Sequence, residues 1–139
     1  MAHLSATDRP PRQTRPRASL FGGVPLFDDV TSVALRSAVA GLAVRQRAIS
    51  QNIANVQTPG YRAQRVSFED DLARAVDQGE SPAVTATTAT SLEPTRLDGN
   101  NVNLDTETMS SVDTTMRYQL ALRAVDSEFS VLRAAMRTS

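Results

Sequence analysis

Ser50-Gln-Asn-Ile-Ala-Asn-Val-Gln-Thr-Pro-Gly-Tyr61 is the stretch on which the reading of this chain turns. An Ala-rich apolar helical pattern runs into it from the N-terminal side. Asparagine tolerates the left-handed conformation that ends helices, so Asn55 is expected to stop that helix. Pro59 and Gly60 suit the two central positions of a type II turn from Thr58 to Tyr61, because glycine accepts the positive φ required there. Asn52 lies on or beside the apolar seam, where a single amide can fix register at some cost in stability. Taken alone, such chemistry marks a helix stop and a loop and says nothing about function.

Working outward, the pattern predicts one helix from Thr31 to Asn55, about 38 Å long at about 1.5 Å per residue. Leu35, Leu42, Ile49 and Val56 recur at spacing seven, and Ala38, Val39 and Ile53 widen the stripe, which is a seam and not an all-round core face. Arg36, Arg45, Gln46 and Arg47 make the rest polar. Asp28 and Asp29 precede the helix, where carboxylates favour the positive end of its dipole, and Asp29 or Thr31 is the expected cap. Phe21 to Phe27 is a Gly/Pro-containing lead-in whose aromatics can dock on a partner helix. Residues 1–20 carry three prolines, four arginines and one acid. They hold too little apolar surface to offset the entropy of ordering, and a disordered arm is expected.

Beyond the turn, Tyr61 to Val66 reads as extended. Ser67 with Asp70 resembles a capping box for a short helix to about Val76, with Phe68, Leu72 and Val76 on one face. Residues 77–101 are rich in Thr, Ala, Gly and Pro without periodicity and read as a flexible linker, with a turn at Asp98-Gly99. A second long helix is expected from about Asp105 to Arg137, capped by Asn103 or Asp105. Tyr118, Leu122, Val125, Phe129, Leu132 and Met136 follow in it at heptad spacing, with Met109, Val112 and Met116 on a slightly rotated stripe. The expected fold is thus mainly α: two long terminal helices pairing as a coiled coil, with a short helix and an extended segment between. One rod-like domain would be formed by residues 21–76 together with 102–139.

Composition fits helix-on-helix packing better than a thick core, since 40% of the 139 residues are hydrophobic but only 4% aromatic. A formal net charge of +0 removes any bulk electrostatic case for nucleic acid or an anionic membrane. There is no Cys, so there is no disulfide framework and no thiolate metal site. No apolar run approaches the length of a membrane span or a secretory signal. His3 is the single histidine and lies in the arm, which argues against a His-based triad or metal cluster. Glu69, Asp70 and Asp71 occupy consecutive helical positions and point apart, so they suit the first turn of a helix better than a catalytic pair. The run Asp98-Gly-Asn-Asn-Val-Asn-Leu-Asp-Thr-Glu107 departs from a calcium loop at Val102 and Asn103 and reads as turn plus helix cap. No catalytic residue, cofactor, metal or small-molecule substrate is expected. Periodicity leaves two readings open: a two-helix core within one monomer, or stripes completed by neighbouring subunits.

Asn52-Ile-Ala-Asn-Val-Gln-Thr-Pro-Gly-Tyr61 resembles the N-terminal signature of the bacterial flagellar axial proteins, the rod, hook and hook-associated subunits. The likeness runs from Phe27-Asp28 through Leu72 and resumes at Asp98-Gly-Asn-Asn-Val-Asn-Leu-Asp and the helix to Met136. The absence of a large inserted domain resembles the short proximal rod subunits. The resemblance implies a structural subunit whose terminal helices pair in the inner layer of a helical tube. It also implies export by the flagellar type III apparatus and assembly in the periplasm. The implied partners are other copies of the chain, other rod proteins and the membrane-ring and export-gate base. On this reading Leu35, Leu42, Ile49, Asn52, Ile53, Tyr118, Leu122, Val125, Phe129 and Leu132 form subunit interfaces. Asn55, Thr58, Pro59, Gly60 and Tyr61 set the turn. A reading from another class is a self-contained helical-hairpin adaptor or dimeric coiled coil, which would melt cooperatively as a strongly helical species in dilute solution. An enzyme is a third, which zymogram activity lost on Glu69→Gln would support.

Overall fold

The structure is a computed structural model that describes residues 30–80 and 82–137. The expected disordered arm and the Asp28–Asp29 cap lie outside these residues. The chain runs α1 (Val30–Ala54), β1 (Gln64–Ser67), α2 (Glu69–Asp77), β2 (Thr87–Thr90) and α3 (Leu104–Arg137). It is mainly helical, with one small two-stranded sheet. No described helix is long and apolar enough to cross a membrane.

α1 and α3 lie side by side and antiparallel. Asn52 bonds Glu107, Gln46 bonds Ser111, and Ser32 bonds Glu128, so positions rise on one helix as they fall on the other. On α1 the expected stripe faces inward. Leu42 is 5% and Ile49 3% exposed, Asn52 is fully buried, and Leu35, Val39 and Ile53 are half-buried. Burial of a large aliphatic side chain is worth about 1.5–3 kcal/mol, so Leu42 and Ile49 anchor the helix.

The face that α3 turns to α1 is not the aliphatic one the sequence suggested. Glu107, Ser111, Thr114, Tyr118, Ala121, Val125 and Glu128, at alternating spacings of four and three, carry the burial or the bonds to α1. Of the expected α3 stripe, Tyr118 and Val125 belong to this face and are half-buried, while Leu122 and Phe129 are 40% and 50% exposed. The reason is geometric. The buried polar pair Asn52–Glu107 sets the rotation of α3, and small residues let the helices approach. Bulkier Met109, Val112 and Met116 are left on the outer face, each more than half exposed, and Leu120, also more than half exposed, borders an open groove with α1 and α2. α3 also runs past the level of Val30, so Met136 has no α1 residue opposite it among those described.

β1 and β2 pair antiparallel, Gln64 with Thr90 through Ser67 with Thr87. The stretch read as a linker without structure of its own therefore supplies a strand. Four exposed residues, Thr87 to Thr90, lacked the apolar alternation that signals one. An isolated two-stranded ribbon is marginal in water, and this one is held because β1 is tied to α1.

Phe68 joins the layers. It packs with Leu42, Ala48 and Val66, flanked by Leu72, Val84, Tyr118 and Ala121. Its ring lies so close to α1 that a Cβ at Gly41 would sit 2.6 Å from it. Glycine costs a helix about 1 kcal/mol relative to alanine, and here it makes room for an aromatic ring. Arg45 also lies over the ring, 5.1 Å from its centroid. It also donates to the Val66 carbonyl at 2.9 Å and to the Glu69 carboxylate at 2.6 Å. Arg45 is thus a clamp between α1, β1 and α2, although periodicity had placed it on the solvated face. The expected Ser67–Asp70 capping box does not form. Phe68 occupies the N-cap position without a side-chain cap, and Glu69, Asp70 and Asp71 supply negative charge to the first turn instead.

Candidate functional site: a buried amide joint

At the end of α1 the chain must stop a helix, turn, start a strand and later restart as α3, all within one small volume. Each of these steps exposes backbone donors and acceptors that water cannot fully reach, and four asparagines meet the demand. The Asn52 amide donates to the Gln64 carbonyl at 2.9 Å and to Glu107 Oε2 at 3.2 Å. Its oxygen accepts from the Gln64 N–H at 2.8 Å and the Tyr61 hydroxyl at 3.2 Å. One side chain therefore imitates a neighbouring strand to β1 while holding the first turns of α3.

Asn100 is fully buried and closes α1. Its amide nitrogen lies 2.9 Å from the Asn55 carbonyl, 3.3 Å from that of Val56 and 2.8 Å from that of Thr58. Those carbonyls lie just beyond the end of the helix, and each takes a second donor besides Asn100: the Thr58 N–H, Arg96 and the Tyr61 N–H respectively. Asn101 accepts from the Ala63 N–H at 2.7 Å and donates to the carbonyls of Ser91 and Glu93, both at 3.1 Å. Asn103 accepts from the N–H groups of Asp105 and Thr106 and caps α3.

The buried carboxylate at the joint is paired. Glu107 is fully buried and takes 2.7 Å contact from Arg65, which also reaches Glu93 at 2.8 Å. A buried carboxylate without such partners would be strongly disfavoured. At the exposed edge, the Asn100 N–H holds the Asp98 carboxyl below its ordinary range, with slight burial opposing and Arg96 assisting.

The turn itself has the geometry read from Pro59-Gly60. Gly60 has φ of 73°, and the Tyr61 N–H donates to the Thr58 carbonyl at 3.2 Å. Gly60 donates in turn to the Asp98 carbonyl at 2.8 Å, and Gly99, at φ of 80°, packs against it. The expected left-handed stop at Asn55 is absent, since no non-glycine residue among those described has positive φ. The helix ends instead through successive turns and the Asn100 cap, with Asn55 bonding back to Gln51 at 2.8 Å and accepting from Thr58 at 3.1 Å. Thr58, Pro59 and Gly60 are exposed and Tyr61 is half-buried.

Of the anticipated residues the structure brings Asn52, Asn55, Thr58, Gly60 and Tyr61 to this joint. Ile49 is buried one turn below, with Leu42 a further two turns along α1, while Leu122 and Phe129 stand elsewhere on α3. Leu132 lies in α3, and its side chain is outside the described set. Glu107 was not anticipated as a partner of Asn52, nor were Arg65, Asn100 and Asn101 as members of the joint. Their one signal was three asparagines within four positions, 100 to 103, around a single buried valine.

A helix pair braced at one end by an amide joint, with an apolar outer face, defines a structural building block. Residues 34–62, which contain most of α1 and the whole turn, match the family described as flagella basal body rod protein. The chain is 32% identical to the flagellar basal body rod protein FlgB of Escherichia coli K12 over 107 residues, spanning 62% of this chain and 78% of that one. It is 27% identical to FlgB of Bacillus subtilis 168 over 131 residues, 85% of this chain and 96% of the relative. With FlgB of Cereibacter sphaeroides it shares 30% over 106 residues, 67% and 83% of the two chains. The chain belongs to the FlgB family of flagellar basal body rod proteins. It is a structural component of the basal body rod and not an enzyme.

Proposed function

We propose that the chain polymerises in the proximal rod by using the outer face of α3, so that its terminal helices complete coiled-coil seams with neighbouring copies and with other rod proteins. The observation that supports this most is the division of α3 into two faces. Small and polar residues serve the pairing with α1, while Leu122 and Phe129 at the border of that face, and Met109, Val112 and Met116 on the far side of the helix, remain 40% or more exposed. Large apolar side chains left exposed in this number along one helix favour completion by neighbouring chains.

In this arrangement α1 and α3 lie along the inner layer of a tube, and the Asn52–Tyr61 joint sets the angle at which the intervening segments leave it. The half-buried Leu35 and Ile53 extend the seam on the α1 side, and residues 102–139 act with 21–76 as one rod domain. The subunit leaves through the flagellar type III apparatus and assembles in the periplasm against the membrane-ring and export-gate base. The test is Leu122→Asp, introduced on the chromosome. Motility and rod assembly are lost, while the expressed protein keeps the circular dichroism and urea midpoint of the parent. A motile strain, or a variant that loses its fold in solution, refutes this use of the face.

A further inference from the structure

The N-terminal half of α1, α2 and the middle of α3 enclose an open space of about 700 Å³. Its walls are chiefly aliphatic: Leu35, Ala38 and Leu42 from α1, Leu72 and Val76 from α2, and Leu120 from α3. Val76 is 42% and Leu120 68% exposed, so none of the described residues covers the groove. One end of it is formed by Val30 and Thr31, where the described part of α1 begins.

The residues attached to that end are Leu20-Phe-Gly-Gly-Val-Pro-Leu-Phe27. We infer that this segment folds back into the groove of its own chain, placing Phe21, Val24 and Phe27 against α1, α2 and α3. The block carries no charge, and five of its eight residues are large and apolar. Arg15 and Arg17 precede it and Asp28 and Asp29 follow it, so the apolar content is confined to the part that would be covered. The lengths agree. From Val30 to Leu42 the groove follows α1 for about 18 Å at 1.5 Å per residue. Eight extended residues span up to about 26 Å. Reversal falls at Asp28–Asp29, whose carboxylates stay in water beside the positive end of α1. Pro25 biases Val24 to an extended conformation, and Gly22-Gly23 permits close passage along the walls. Tethering one short turn from the groove gives the segment a high effective concentration there, which favours it over a second copy of the chain.

The chain has no Cys, so engineered pairs report without background. Full-length protein carrying Val24→Cys with Val76→Cys is oxidised at several dilutions beside one carrying Val24→Cys with Met136→Cys. The first pair forms an intrachain disulfide at a rate independent of protein concentration, and the second stays reduced. Interchain products, or closure at position 136 and not at 76, overturn the inference in favour of a second copy or of a path along α3. A separate measurement covers the case of a misfolded cysteine variant. In the full chain, Phe21→Ser, Val24→Ser and Phe27→Ser together raise the fluorescence of a hydrophobic-surface dye at least twofold by uncovering the groove. Unchanged or lower fluorescence, as expected if three exposed apolar residues were merely removed, refutes it.

Discussion

Asn52→Ala is the substitution that most directly probes the joint. It deletes four hydrogen bonds of 2.8–3.2 Å from a side chain with no exposure. The consequences differ by partner. Tyr61 is half-buried and its hydroxyl can turn to water, and Glu107 keeps Arg65. The Gln64 N–H and C=O face α1 and lose the side chain that pairs them there. Each orphaned buried group costs about 1–3 kcal/mol, so the variant should lose about 2–6 kcal/mol in total. Against the roughly 5–15 kcal/mol of a typical domain, that is a large fraction. Urea unfolding followed by circular dichroism measures the loss, and amide exchange at Gln64 localises it. A loss below about 1 kcal/mol with the Gln64 amide still protected would refute the idea that Asn52 holds β1 to α1. Asn52→Asp sharpens the test. It keeps the acceptor for Gln64 and Tyr61 but removes the donor and sets a second carboxylate beside Glu107. It should be at least as destabilised near neutral pH, because the two carboxylates repel and the Gln64 carbonyl loses its donor.

Three further outcomes follow from the same geometry. Gly41→Ala should lower the melting temperature although alanine is the better helix former by about 1 kcal/mol, because overpacking against Phe68 costs about 1–3 kcal/mol; a raised melting temperature would show that the ring yields freely. Gly60→Val should cost about 1–3 kcal/mol in chemical denaturation through its positive φ alone, since no atom lies within 4 Å of the added Cβ, and Gly60→Asn should cost less. For Glu69, burial pushes the carboxyl up while the Arg45 hydrogen bond and charge pull it further down, so its folded pKa lies below the ordinary value. The stabilisation it contributes is therefore present above the usual carboxylate range and is lost as pH falls through the depressed value. The pair is partly exposed, so the effect is under about 1 kcal/mol, and Glu69→Gln should flatten the acid limb of a pH–stability curve; an unchanged limb would remove the pair from the account.

Much of the architecture was legible along the chain because it depends on local rules. The period of Leu35, Leu42 and Ile49 marks α1. Pro59-Gly60 requires the turn that Gly60 makes, and Asn103 caps α3 from three residues' distance. The motif between Asn52 and Tyr61 was sufficient to suggest the rod family, which the relatives then established. What only the tertiary structure decided is which face of α3 meets α1. Heptad spacing treats Leu122 and Phe129 as the seam, since it weighs hydrophobicity and not partners. In the folded chain, Asn52 and Glu107 bury a hydrogen-bonded pair whose cost of separation fixes the rotation of α3, and the aliphatic residues follow it outward. The joint was hidden for a related reason. Asn100 and Asn101 act on carbonyls and amides 38 to 45 residues away for most of their bonds, and no spacing rule connects a side chain to distant backbone that needs a partner. Local sequence determined where this chain is helical and where it turns. Satisfaction of buried polar groups, a property of the packed whole, determined which surfaces it keeps for itself and which it leaves exposed.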